Sequence, residues 1–146
     1  MLSAVKLHLD LFPVARYRGM LAIAVAACLA DWAVKGAHPW LWDGWVPHET
    51  GRSLLNLLWA LPLLTALLWL LPTRLAVVGC GLMLGGMSAN LFDVVPDGVV
   101  WNMFPLPGSD MWFNTADAWI VLGGLLLSGS VLSECWKLRP VRAAAR

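Results

Sequence analysis

Four stretches of the chain run for the length of a membrane span with almost no charge: Gly19 to Lys35, Ser53 to Leu71, Leu75 to Phe92 and Thr115 to Ser133. A helix needs about 20 mostly apolar residues to cross the roughly 30 Å hydrocarbon core. Lipid offers no partner to an unpaired backbone group, so each stretch is expected to be helical. The breaks between them are of two kinds. Pro72-Thr73-Arg74 reads as a tight turn, whereas residues 36–52 and 93–114 are long and rich in Gly, Pro and Trp. Before the first span, Val5, Leu7, Leu9 and Leu11 alternate with Lys6, His8 and Asp10. That period suits a strand or a surface-lying segment ended by Pro13. The pattern predicts an all-α integral membrane protein with four transmembrane helices in a single domain over residues 1–146. The two long loops lie on one side, and a small β-cradle is expected in the first of them.

Composition agrees with that pattern and removes other classes. The 146 residues are 60% hydrophobic and 13% charged, with a mean hydropathy of +0.71. A soluble domain carries about twice that charge fraction, and a disordered chain needs low hydrophobicity with high charge. A formal net charge of +1 leaves no basic surplus for nucleic acid. Cys28, Cys80 and Cys135 are scattered through apolar stretches without metal-ligand or disulfide spacing, and read as small membrane-buried residues.

Charge placement predicts the orientation. Lys6, Arg16 and Arg18 precede the first span, Arg74 sits in the short turn, and Lys137, Arg139, Arg142 and Arg146 follow the last span. Only Lys35 and Arg52 fall on the other side. By the positive-inside rule both ends and the short turn are cytoplasmic, and the long loops are outside. Asp31, Asp43, Glu49, Asp93, Asp97, Asp110 and Asp117 lie on or near that outer face, with seven of the ten tryptophans. The function is expected there, near the outer face.

Three aspartates stand at span ends, where a charge is costly and usually persists because it performs a task. They are Asp31, Asp93 and Asp117. Asn90 precedes Asp93 by three residues, and Asn114 precedes Asp117 by the same interval. That spacing puts each amide and carboxylate on one helix face. Antiparallel neighbouring helices would bring the two carboxylates together. Two close carboxylates share one proton, so one acts as base and the other as acid, the working unit of an aspartic protease. A plain structural role explains Asn114 as a helix cap and Asp117 as a first-turn charge. It explains Asp93 badly, because a negative charge is disfavoured at a helix C-terminus.

The order of these features resembles bacterial lipoprotein signal peptidase, the signal peptidase II family, as a divergent member. Gly85-Gly86-Met87-Ser88-Ala89-Asn90-Leu91-Phe92-Asp93 is similar to the family's Gly-Gly-Ala-x-Gly-Asn-x-x-Asp-Arg box. Phe113-Asn114-Thr115-Ala116-Asp117-Ala118-Trp119-Ile120 resembles its Phe-Asn-x-Ala-Asp-x-x-Ile box, and Asp31-Trp32-Ala33-Val34-Lys35 its Asp-x-x-x-Lys signature. Gly98-Val99-Val100 looks like the start of the segment between the two boxes. The resemblance implies an intramembrane aspartic endopeptidase that removes the signal peptide from diacylglyceryl-modified prolipoproteins. It implies Asp93 and Asp117 as the catalytic pair, with Asn90 and Asn114 as flanking polar residues. Glu49 and Gly51, in the segment matching the family's Asn-x-Gly-Ala-Ala-Phe stretch, would touch or orient substrate. The chain departs from the family at Val94, where arginine is usual, at Ala89 for glycine, at Trp101 for aspartate and at Glu49 for asparagine.

The remaining residues add structure more than chemistry. Asp31 and Lys35, four apart, are expected to form a structural ion pair. Gly81, Gly85 and Ala89 form a small-residue ridge, and Gly123 and Gly124 are expected to face it. His8, His38 and His48 lack convergent spacing, so no metal and no cofactor are expected. The expected partners are lipid-modified prolipoproteins and membrane lipids, with the chain acting as a monomer. Two other readings stay open: a proton- or solute-translocating protein using the membrane carboxylates, and a catalytically inactive relative that binds lipoproteins.

Overall fold

The computed structural model describes residues 2–41, 46–49 and 53–143. Four helices carry the fold in chain order: α1 (Leu2–Leu41), α2 (Ser53–Leu70), α3 (Arg74–Asp97) and α4 (Thr115–Ala143). Within them Val14–Ala37, Arg74–Pro96 and Thr115–Lys137 are each long and apolar enough to cross a membrane. The protein is a multi-pass, all-α membrane protein with small strands in its loops. At 18 residues, α2 reaches about 27 Å at 1.5 Å per residue, close to the core thickness.

Two helix bounds differ instructively from the pattern. The alternating segment before the first span is helical, continuous with α1 through Pro13, and not a strand. Extending an existing helix adds a hydrogen bond per residue fixed, and Ala, Leu and Lys are good helix formers, which outweighs a short period-2 alternation. α3 runs past Asp93 to Asp97 and stops at Gly98, whose φ of 81° closes the helix with its N–H on the Val94 carbonyl at 2.9 Å. Asp93 is therefore one turn inside α3. At its other end α3 is capped by Thr73, whose hydroxyl accepts the Ala76 N–H at 3.0 Å and lies 2.6 Å from Ser130 Oγ on α4.

α3 is the central helix and touches the other three, most extensively α4 and α1. Its glycines decide how closely. A Cβ on Gly79 would lie 2.8 Å from the Gly123 carbonyl, and one on Gly123 would lie 2.6 Å from the Gly79 carbonyl. Gly81 and Gly85 face α1 instead, against Met20, Ile23, Ala24 and Ala27, so the expected ridge does not face α4. Gly124 has open space beside it. The buried core is formed by Met20 and Ala24 of α1, Leu64 and Leu68 of α2, Ala76, Cys80 and Leu84 of α3 and Leu127 of α4. All three cysteines lie within the apolar span segments: Cys80 is buried in the protein core, Cys28 is half-buried and Cys135 is exposed on the surface of α4.

The loops form two small sheets. β1 (Val46–Glu49) from the first loop pairs antiparallel with β2 (Val99–Asn102) from the second, with Pro47 opposite Trp101. β3 (Phe104–Pro105) and β4 (Trp112–Phe113) make a hairpin, turned at Gly108 with φ 80°. The first loop thus supplies one strand, and its partner comes from the second loop.

Candidate active site

At the end of the bundle where α3 finishes and α4 begins, α1, α3 and α4 carry one polar network. Asp31 and Lys35 are four residues apart on α1, and their ion pair is formed at 2.6 Å. Asp31 is 1% exposed and Lys35 6% exposed. Both belong to a larger set. The second oxygen of Asp31 accepts the Thr115 hydroxyl at 2.5 Å and the Ala116 N–H at 2.7 Å. These donors open α4, where the first N–H groups have no partner within the helix and the dipole favours an anion. Asp31 therefore caps a neighbouring helix. Lys35 in turn reaches across to Asp93 Oδ2 on α3 at 2.5 Å. The cost of a carboxylate at that depth is met by this ammonium and by the Trp101 backbone N–H, which also bonds Asp93.

Asp117 sits in the first turn of α4 and is held differently. Asn90 Nδ2 on α3 donates to Asp117 Oδ1 at 2.9 Å, and the Asn114 backbone N–H donates to Oδ2 at 3.2 Å. The Asp117 N–H returns a bond to Asn114 Oδ1 at 2.9 Å, so Asn114 and Asp117 form a reciprocal helix cap. Fully buried, Asn114 also donates through Nδ2 to Asn90 Oδ1 at 3.0 Å, Asn102 Oδ1 at 3.1 Å and the Trp101 carbonyl at 3.3 Å. Asn90 thus serves the aspartate of the facing helix and not Asp93, its neighbour in sequence.

Trp101 joins the two groups. Its N–H goes to Asp93 and its carbonyl to Asn114. In an extended strand the N–H and C=O of one residue point to the same side. Across β2, the residue opposite Trp101 is Pro47, which has no N–H to offer, so the Trp101 backbone is turned toward the helices. Among the bonds of the described residues none links Asp93 to Asp117 directly; each carboxylate has its own donors.

Each aspartate also opens to a different cleft. Asp93 and Asp31 lie at the head of a cavity of about 450 Å³ between α1 and α3, walled by Cys28, Leu29, Trp32 and Phe92. Asp117 heads one of about 460 Å³ between the β3–β4 hairpin and α4, walled by Met111, Trp112, Val121 and Leu125. Trp32, Lys35, Asp93 and Trp101 line a third space. Of the other expected residues, Glu49 lies in β1 opposite Val99, with only its backbone described, and Gly51 lies outside the described residues.

Sequence reasoning missed the bonds of Thr115 and Ala116 to Asp31, the reach of Lys35 to Asp93, and Asn102. A signal for Asn102 existed, since a buried amide within Val99-Val100-Trp101-Asn102-Met103 interrupts an apolar strand and needs a partner.

A family model described as signal peptidase (SPase) II matches residues 42–133. No curated protein matched the chain. Among solved structures, a bacterial membrane enzyme determined by the in meso method at 2.3 Å resolution is similar at 18% identity. The likeness covers 82% of this chain and 90% of that one, with a TM-score of 0.63. A second structure of a bacterial membrane enzyme, at 1.9 Å, is similar at 17% identity over 77% of this chain and 92% of that one, with a TM-score of 0.60. At those identities the structural likeness speaks for the fold alone.

Proposed function

Because the chain belongs to the signal peptidase II family, whose model matches more than half of it, we propose that it is an intramembrane aspartic endopeptidase. On this reading it removes the signal peptide from diacylglyceryl-modified prolipoproteins at the outer face of a bacterial cytoplasmic membrane, acting as a monomer. Asp93 and Asp117 carry the hydrolysis. One carboxylate takes a proton from water as its oxygen adds to the scissile carbonyl carbon. The other protonates the carbonyl oxygen, and the proton gained by the first goes to the departing amine as the C–N bond breaks. Asn90 and Asn114 orient Asp117, and Glu49 and Gly51 contribute to the substrate region. The observation that carries the reading is Asp117 itself: a carboxylate bonded on both oxygens and opening to a cleft walled by apolar side chains, where a lipidated peptide can arrive from the bilayer.

One observation favours a second reading. Asp93 is occupied by Lys35 and the Trp101 N–H and has no bond to Asp117, and Trp101, after Gly98-Val99-Val100, stands where the family usually has aspartate. That arrangement suits a relative that binds lipoproteins without cutting them.

Incubating the purified protein with a lipidated prolipoprotein separates the two. The peptidase reading expects cleavage that is lost in both Asp93→Asn and Asp117→Asn and is insensitive to chelators and serine-directed reagents. Binding of the precursor with no cleavage product in wild type gives the second reading. Cleavage that survives Asp117→Asn removes the aspartic mechanism.

A further inference from the structure

The β3–β4 hairpin leaves three large apolar side chains, Leu106, Met111 and Trp112, exposed. One cavity of about 460 Å³ joins them to Val121, Leu122 and Leu125 of α4, which are exposed too and so turned away from the bundle. Leu125 stands ten residues along α4 from Thr115, about 15 Å by helix rise, or half of the roughly 30 Å hydrocarbon core. A cavity that reaches both sets places the hairpin alongside the first turns of α4 and not above them. The apolar side of the hairpin is thus continuous with the face that this span turns to lipid.

The backbone of the hairpin points the same way. Irregular chain can lie against lipid only where its polar groups find partners within the protein. Pro105 and Pro107 have no N–H to satisfy. Leu106 donates its N–H to the Met111 carbonyl at 2.8 Å, and Ser109 donates its N–H to the Leu106 carbonyl at 3.1 Å. The Met111 N–H goes to Ser109 Oγ at 3.2 Å, and the Ser109 hydroxyl returns to the Leu106 carbonyl at 3.1 Å. The base is fixed by buried Met103, whose N–H meets the Phe113 carbonyl at 3.0 Å, and by the Phe104 and Phe113 rings 5.5 Å apart. Asp110, the charged residue of the hairpin, stands at its tip, and Trp112 brings an indole of the kind that settles where headgroups meet acyl chains.

We infer that the β3–β4 hairpin is a membrane-inserting element, which sinks Leu106, Met111 and Trp112 into the acyl region of the leaflet on the loop side while Asp110 stays among the headgroups. The inference is independent of the peptidase reading, since it asks only that α4 span a bilayer. It is tested on the full chain in phospholipid nanodiscs holding one copy each. A membrane-impermeant maleimide is added to Asp110→Cys, Leu106→Cys and Met111→Cys, all at exposed positions, and labelling is read peptide by peptide so that Cys28, Cys80 and Cys135 do not count. The thiolate is the reacting form, and apolar surroundings suppress it. Met111→Cys and Leu106→Cys should therefore label roughly tenfold more slowly than Asp110→Cys, or slower still. Equal rates at the three positions overturn the inference. The occupant is identified in the wild-type chain with a phospholipid carrying a photoreactive group in its acyl chain. Adducts should form on residues 106–112 as they do on the lipid-facing stretch 121–125. Adducts on 121–125 with none on 106–112 overturn the inference, as does slow labelling of Met111→Cys accompanied by cross-links from the hairpin to protein instead of lipid.

Discussion

Lys35 Nζ lies 2.5 Å from Asp93 Oδ2, so an ammonium on α1 meets a carboxylate on α3 while it still holds Asp31 of its own helix at 2.6 Å. One cation between two carboxylates, all three largely buried, ties two helices together. Removing one member of a buried ion pair costs about 3–5 kcal/mol because the remaining charge is stranded. Lys35→Met should therefore lower unfolding stability in micelles by that order. A loss below about 1 kcal/mol, the range of an exposed pair, would contradict the buried arrangement.

Asn90 and Asn114 flank the same aspartate with different numbers of bonds. Asn90 exchanges bonds with Asp117 and Asn114, whereas Asn114 also holds Asn102, Trp101 and the first turn of α4. Leaving a buried polar partner unsatisfied costs about 1–3 kcal/mol. Asn114→Ala should destabilise more than Asn90→Ala, read by thermal unfolding of the two variants side by side. If cleavage is detected, Asn90→Ala should reduce it with the smaller stability loss.

Gly86→Ala should disturb the site without touching a polar group. A Cβ there would sit 2.4 Å from the Ala116 carbonyl, at the residue whose N–H is held by Asp31. Backbone cannot yield as a flexible side chain would, and overpacking costs about 1–3 kcal/mol. The expected signs are a lower melting temperature and weakened α4 N-terminal protection in hydrogen exchange. Gly124→Ala, with nothing near its Cβ, should be close to wild type.

Thr73→Val should loosen the far end of α3. It removes the cap on the Ala76 N–H and the bond to the fully buried Ser130. An N-cap contributes about 0.5–2 kcal/mol, and Thr73→Ser should retain most of it. Equal melting temperatures for Thr73→Val and wild type would show that the cap contributes nothing.

The membrane spans and the Asp31–Lys35 pair were legible along the chain because both follow from local rules. A bilayer requires a run of apolar residues of a certain length, and residues four apart share a helix face. The reciprocal cap of Asn114 and Asp117 has the same origin, since an N-cap and its N3 partner are three residues apart. What no local rule contains is the rotation of each helix about its axis and the register of one against the next. Those settle which neighbour a side chain meets. Packing of Gly79 against Gly123 and of Gly81 and Gly85 against α1 turns α3 so that Asn90 meets Asp117 of α4 and Asp93 meets Lys35 of α1. The same rotation sends the two aspartates to different clefts. Pairing of β1 with β2 joins segments about fifty residues apart, and only that pairing turns the Trp101 backbone toward both carboxylate groups. Such choices depend on the sum of many small packing terms across the whole bundle, which is why they belong to the tertiary structure.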